Sequence, residues 1–136
     1  MIVVDTSALA KLLVAEEESG ALRRFLAQRS SDGEEFAIST IAVTELRRLA
    51  IRIDVPLEAI EPIVSRFRVL RINEAMLQLA GRLPVRHLGT LDAIHIATAL
   101  AAEATALVTY DLRQADAAER EGLRLFLPKD AGDHGD

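Results

Sequence analysis

Four carboxylates carry the chemistry this sequence can do: Asp5, Glu45, Asp92 and Asp111. Asp5 ends the apolar run Ile2-Val3-Val4 and is followed by two hydroxyls, Thr6 and Ser7. Asp111 ends VTYD in the same manner. Asp92 opens the helical stretch LDAIHIATAL. Glu45 lies inside STIAVTELRRLA, with Ile41 and Leu49 on its own helical face at i−4 and i+4. Each has a plain folding explanation. Asp, Thr and Ser after a strand accept hydrogen bonds from the free N–H groups of a helix start, and an acid in the first turn complements the helix dipole. A carboxylate on an apolar stripe is harder to explain, because it is costly unless paired or bound to a metal. Taken together, clustered carboxylates repel and raise one another's pKa values. A hard divalent cation is the usual reason to tolerate that. Mg²⁺ takes oxygen ligands and needs only one or two direct carboxylates beside waters and substrate phosphate, and an all-oxygen site accepts Mn²⁺ as a substitute. With one or two ions such a site hydrolyses phosphodiester bonds.

The elements that must position these acids alternate between short apolar runs and helical patterns. Strands are expected at Ile2–Asp5, Phe36–Ser39, Arg68–Ile72, Ala106–Thr109 and Leu123–Leu127. Helices are expected at Thr6–Ala15, from Ser19-Gly20 through Arg29, at Thr40–Ile53, Leu57–Phe67, Glu74–Leu83 and Leu112–Glu121, and at Leu91–Glu103 with Thr90 as its cap. Strands separated by helices imply an α/β domain, a mostly parallel sheet with helices on both faces. In such sheets ligands bind beyond the carboxyl ends of the strands, where Asp5 and Asp111 both fall. Residues 1–128 read as one domain, and the polar, Gly-rich 129–136 as a disordered tail.

Composition narrows the chemistry further. The chain has 136 residues, half of them hydrophobic, and a formal charge of −5. It has no cysteine, which excludes disulfides, thiolate metal sites and thiol nucleophiles. Asp5 interrupts the amino-terminal apolar run and no basic segment precedes it, unlike a signal peptide. The apolar stretches are too short to span a bilayer, so no membrane role and a cytoplasmic location are expected. Fourteen of the sixteen basic residues are Arg, whose planar fork suits phosphate and carboxylate. Aromatic residues are too few for base stacking to dominate any nucleic-acid affinity.

Asp5 in VVDTSAL, Glu45 in TELRRLA, Asp92 in LDAIHIATAL and Asp111 in VTYDLR resemble, in order, the four-acid signature of PIN-domain ribonucleases. The similarity is greatest to VapC, the toxin of VapBC toxin–antitoxin pairs, and runs from Ile2 to about Pro128. The resemblance implies a single PIN-like domain and a Mg²⁺- or Mn²⁺-dependent endoribonuclease that cuts structured RNA such as tRNA or rRNA. It further implies a homodimer and a cognate VapB-type antitoxin. Asp5, Glu45, Asp92 and Asp111 would then be the catalytic, metal-ligating or water-orienting acids, with Thr6 or Ser7, and Thr109, in support. On this reading Asp5 serves the metal while Thr6 or Ser7 caps the helix. Asp116 competes with Asp111 for the fourth place. Thr109 alternates onto the same side as Asp111, which favours Asp111 and leaves Asp116 to orient a water or face solvent. Arg48 is placed to pair with the acids or contact RNA phosphate.

Other readings compete. Phosphatases that form an aspartyl-phosphate also place an Asp after the first strand, but they pair it with a second acid two residues on and need a distant Lys. Position 7 is Ser, and neither Lys11 nor Lys129 lies at a suitable strand exit. A receiver domain fails for the same reasons. A catalytically inactive PIN-like domain that binds RNA or protein is the remaining alternative, and it predicts no metal dependence. His95 reads as a packed, hydrogen-bonded helix histidine rather than a general base. His87 falls in a loop and His134 in the terminal DHGD.

Overall fold

The computed structural model describes residues 1–130. His134 and most of the expected tail lie outside the described residues. The end of the domain and the start of the tail are tied down: the Tyr110 hydroxyl donates to the Pro128 carbonyl at 2.7 Å, and Arg24 forms an ion pair with Asp130.

Five strands, β1 (Ile2–Val4), β2 (Phe36–Ser39), β3 (Arg68–Leu70), β4 (Ala106–Val108) and β5 (Arg124–Phe126), form one sheet in the order β3-β2-β1-β4-β5. All four pairings are parallel. The helices are α1 (Thr6–Leu13), α2 (Ser19–Ser31), α3 (Thr40–Arg52), α4 (Glu61–Val64), α5 (Glu74–Arg82), α6 (Thr90–Ala101) and α7 (Leu112–Arg120). Strand alternation divides the core between the two faces of the sheet. Ile2, Val4, Phe36, Ile38, Ala106 and Val108 pack with Leu9 and Leu12 of α1, Leu22 of α2 and Leu46 of α3. Val3, Ala37 and Leu107 face Ile96 and Ala99 of α6 and Ala117 and Ala118 of α7. The expected α/β architecture is therefore present, with a wholly parallel sheet.

Several boundaries differ from the sequence reading, each for a local reason. The expected helix Leu57–Phe67 is broken into a 3₁₀ turn, Leu57–Ile60, and the single-turn α4. Pro62 sits in the first turn of α4, where its missing N–H is tolerated, whereas a continuous helix needs that donor. Gly89, not Thr90, is the cap of α6, so Thr90 is already helical. Its end is turned by Glu103 in the left-handed region, φ 56°. Strand β3 is shorter than expected, and its first two residues are exposed at the sheet edge.

The chain lays down β1, β2 and β3 to one side, then returns to place β4 and β5 on the other. Neighbouring strands β1 and β4 thus lead into connections that run away from each other. That is the topological switch point, where an open parallel sheet leaves a crevice at its carboxyl edge.

Candidate metal centre

Asp5 leaves β1 and Thr109-Tyr110-Asp111 leaves β4 at this crevice, with the Asp5 amide donating to the Val108 carbonyl at 3.0 Å. Asp5 itself is the N-cap of α1: its Oδ1 accepts from the backbone N–H of Ser7 at 2.8 Å and of Ala8 at 3.3 Å. The expectation that Thr6 or Ser7 does the capping is corrected here. Those two residues are already helical, and their hydroxyls are spent on carboxylates. Ser7 Oγ donates to Asp5 Oδ1 at 2.6 Å, and Thr109 Oγ1 donates to Asp5 Oδ2 at 2.7 Å. Thr109 Oγ1 in turn accepts from the Asp111 N–H at 3.1 Å. Asp5 is 2% exposed. Burial pushes its carboxyl up, and the hydrogen bonds from Ser7 and Thr109 only partly offset the shift.

Glu45 reaches the same edge from α3. Its Oε1 accepts from Thr6 Oγ1 at 2.6 Å and stands 2.6 Å from Nε2 of His95 on α6. Burial works to raise this carboxyl, but the bonds from His95 and Thr6 outweigh it, and Glu45 is held below the usual carboxylate range. His95 is 4% exposed. It is packed and hydrogen-bonded as expected, yet its polar end touches the acidic group and not a structural carbonyl.

Asp92, in the first turn of α6, is half-buried. Burial raises its carboxyl first, followed by repulsion from Asp111; Asp5 and Glu45 add to it, while His95 opposes. The four acids therefore share one electrostatic neighbourhood. Asp111 caps α7, its Oδ1 accepting from the N–H of Arg113 at 3.0 Å and of Gln114 at 3.3 Å. Asp116 is turned to solvent, where it pairs with Arg120 at 3.1 Å. Arg48 is exposed and, among the described residues, forms no ion pair with the acids. The cation whose charge reaches Glu45 is Arg52. Both arginines line a groove of about 560 Å³ that runs beside Thr6, Ser7 and Glu45.

One participant was not singled out in the sequence. Gln114, in the first turn of α7, is 2% exposed. Oriented by its hydrogen-bond network, its amide nitrogen donates to Asp5 Oδ2 at 2.7 Å and to Asp92 Oδ1 at 3.3 Å. Gln114 shares its helical face with Ala117 and Ala118, but only the packing of α7 makes that the buried face.

The donor set is all oxygen, which suits a hard divalent cation. Among the described residues no three His, Asp or Glu side chains are gathered closely enough to hold an ion by themselves. An ion here would be held by one or two of these carboxylates, with water and phosphate completing its shell. Among the described residues no helix is long and apolar enough to cross a membrane.

Comparison with known proteins gives one answer from three directions. The PIN domain profile matches residues 2–120. Ribonuclease VapC47 of Mycobacterium tuberculosis is 40% identical over 117 residues, covering 83% of this chain and 86% of that protein. Ribonuclease VapC46 of the same species is 38% identical over 130 residues, covering 93% and 97%. Among solved structures, VapBC2 from Rickettsia felis, bound to a DNA fragment from its promoter, superposes with a TM-score of 0.73 at 18% identity, covering 93% and 98%. A domain-wide profile match and about 40% identity over most of the chain to two VapC ribonucleases place it in the PIN-domain family, among the VapC ribonucleases.

Proposed function

We propose that this chain is an endoribonuclease toxin that hydrolyses phosphodiester bonds in structured RNA, such as tRNA or rRNA, and is neutralised by a VapB-type antitoxin. The carrying observation is the meeting of Asp5, Glu45, Asp92 and Asp111 at the switch point of a parallel sheet. Divalent-metal dependence follows from the family, and Mg²⁺, with Mn²⁺ as substitute, is the cofactor an all-oxygen set favours. A divalent cation bound there would supply Lewis-acid polarisation of the phosphate and activation of water. Asp5 and Asp92 would hold it, with Glu45 and Asp111 reaching it directly or through water.

The chain's own groups set the geometry for that chemistry. Ser7 and Thr109 fix the Asp5 carboxylate in one orientation, and the His95 and Thr6 bonds hold Glu45 ionised, so it can accept a proton from an attacking water. The Arg48–Arg52 groove on one side and Arg86, Arg113 and Arg120 around the Leu88–Leu112 cavity on the other give RNA phosphates cationic walls. Action on cellular RNA places the protein in the cytoplasm, as a homodimer like its family. The inward apolar residues of α1 and α3 are used by the core. This leaves exposed residues such as Ile51 and Ile53 for a subunit contact.

The test is cleavage of total bacterial RNA in EDTA, Mg²⁺ or Mn²⁺, beside an Asp5→Asn, Asp92→Asn double variant. Discrete metal-dependent fragments absent from the variant are expected. Intact RNA under every condition, together with a melting temperature that metal leaves unchanged, would favour the non-catalytic binding domain.

A further inference from the structure

Asp5 and Asp92 stand on different elements, yet one side chain joins them. That side chain is Gln114. It sits in the first turn of α7, on a buried face otherwise made of Ala115, Ala117 and Ala118. An amide buried on an alanine face is costly unless its polar atoms are paired. Its nitrogen carries two protons, and two carboxylate oxygens stand at 2.7 and 3.3 Å to receive them. Turning the amide over would set its carbonyl against both carboxylates.

We propose that Gln114 is a positioning residue, an amide bridge that holds the Asp5 and Asp92 carboxylates at a fixed separation and shields their mutual repulsion before a cation arrives. The separation it imposes follows from its own size, because both oxygens lie within hydrogen-bond reach of one nitrogen. Asp111, one turn earlier on the same helix, accepts the Gln114 backbone N–H. A single residue thus touches three of the four acids, two through its side chain and one through its main chain. It draws α7 into the geometry of β1 and α6. This inference rests on the metal site proposed above, in that the separation held is the one a cation would meet.

The experiment uses two variants of the full chain. Gln114→Met keeps the length and bulk of the side chain and removes both donors. Gln114→Glu keeps the reach but sets a carboxylate between two carboxylates. Mn²⁺ binding is followed by the electron paramagnetic resonance of the free ion, and melting by circular dichroism in EDTA. Expected are a Mn²⁺ dissociation constant raised about tenfold in Gln114→Met, the range for losing a group that orients a ligand, and melting in EDTA in the order wild type, Gln114→Met, Gln114→Glu, highest first. An unchanged dissociation constant in a folded Gln114→Met protein overturns the bridge and leaves the metal site standing. Gln114→Glu melting at or above wild type in EDTA also overturns it, since then the amide is not donating to acids. Wild-type protein that binds no Mn²⁺ overturns the metal site, and the melting order alone then decides the bridge.

Discussion

Replacing Asp5 separates its electrostatic cost from its structural use. The Gln114 bridge limits the distance between the nearest Asp5 and Asp92 oxygens to about 6 Å. At an effective dielectric near 20, two unit charges at that distance repel by about 3 kcal/mol. Asp5→Asn removes this repulsion and keeps an oxygen to cap α1, since Asn caps as well as Asp. Its bond from Ser7 becomes a neutral one, and the amide nitrogen that takes the place of Oδ2 donates to Thr109 Oγ1 instead of accepting from it, a loss of about 1 kcal/mol each, while Gln114 loses its acceptor there for about 1 kcal/mol more. Relief and losses nearly cancel, so the metal-free variant is expected to melt within about 4 °C of wild type. Asp5→Ala relieves the same repulsion but loses the cap, about 1 kcal/mol, and leaves the buried Thr109 hydroxyl and Gln114 amide without their acceptor, about 2 kcal/mol each. The net is a loss of about 2 kcal/mol, so the two variants should melt roughly 8 °C apart. The assay is thermal melting in EDTA. Asn melting as low as Ala would mean that the charge itself holds the fold together, and the argument from repelling acids would fail.

The remaining predictions use the same protein. Mn²⁺ at a hundred times its dissociation constant should stabilise wild type by about 2.7 kcal/mol, and the double variant Asp5→Asn, Asp92→Asn should show no such shift. In EDTA, Asp5 and Asp92 have folded-state carboxyls raised above their unfolded values. Their contribution is thus fully present below the unfolded pKa of about 3.9 and is lost as pH rises through the folded one. Lowering the pH from neutral into that window should favour metal-free wild type relative to Asp92→Asn, and parallel melting-versus-pH curves would contradict it. His95→Ala removes the partner that holds Glu45 down, so the acid limb of the cleavage profile should move to higher pH, with His95→Gln, which keeps a donor, moving it less. Arg113→Ala should raise KM severalfold with kcat nearly unchanged and flatten the salt dependence of binding.

Much of this centre was legible in the sequence because strand exits and helix starts have readable signatures. Asp5 after Ile2-Val3-Val4 and Asp111 after the Ala106–Val108 strand could be placed on one edge from the parallel-sheet pattern alone. Glu45 was marked by the conflict between its charge and its apolar neighbours. What the linear pattern hid were the partners that pass between elements. The Glu45–His95 contact spans fifty positions and joins α3 to α6. Both residues were noticed, but nothing in their spacing pairs them. Gln114 was hidden for another reason: a Gln on a short helix reads as solvated, and only the packing of α7 against α6 turns it inward. The break at Pro62 was visible as a residue, yet Pro is at home in a first turn, so whether it starts or splits a helix is decided by the chain around it.

The double use of Asp5 follows from its position. A residue directly after a central parallel strand must satisfy the free N–H groups of the next helix, and a carboxylate does so with one oxygen. The second oxygen then faces the crevice between β1 and β4 by the geometry of the group. Capping and ligand binding are therefore not rival explanations of this residue, because the cap fixes the rotamer from which the other oxygen can serve a cation. The same holds for Asp111 at the head of α7. Two helices that begin beside each other at a switch point bring their capping acids together, and the repulsion between them is a direct result of how the fold starts its helices. Ser7, Thr109 and Gln114 then bear on Asp5, and Thr6 and His95 on Glu45, each donating to an oxygen that would otherwise swing away from its neighbours.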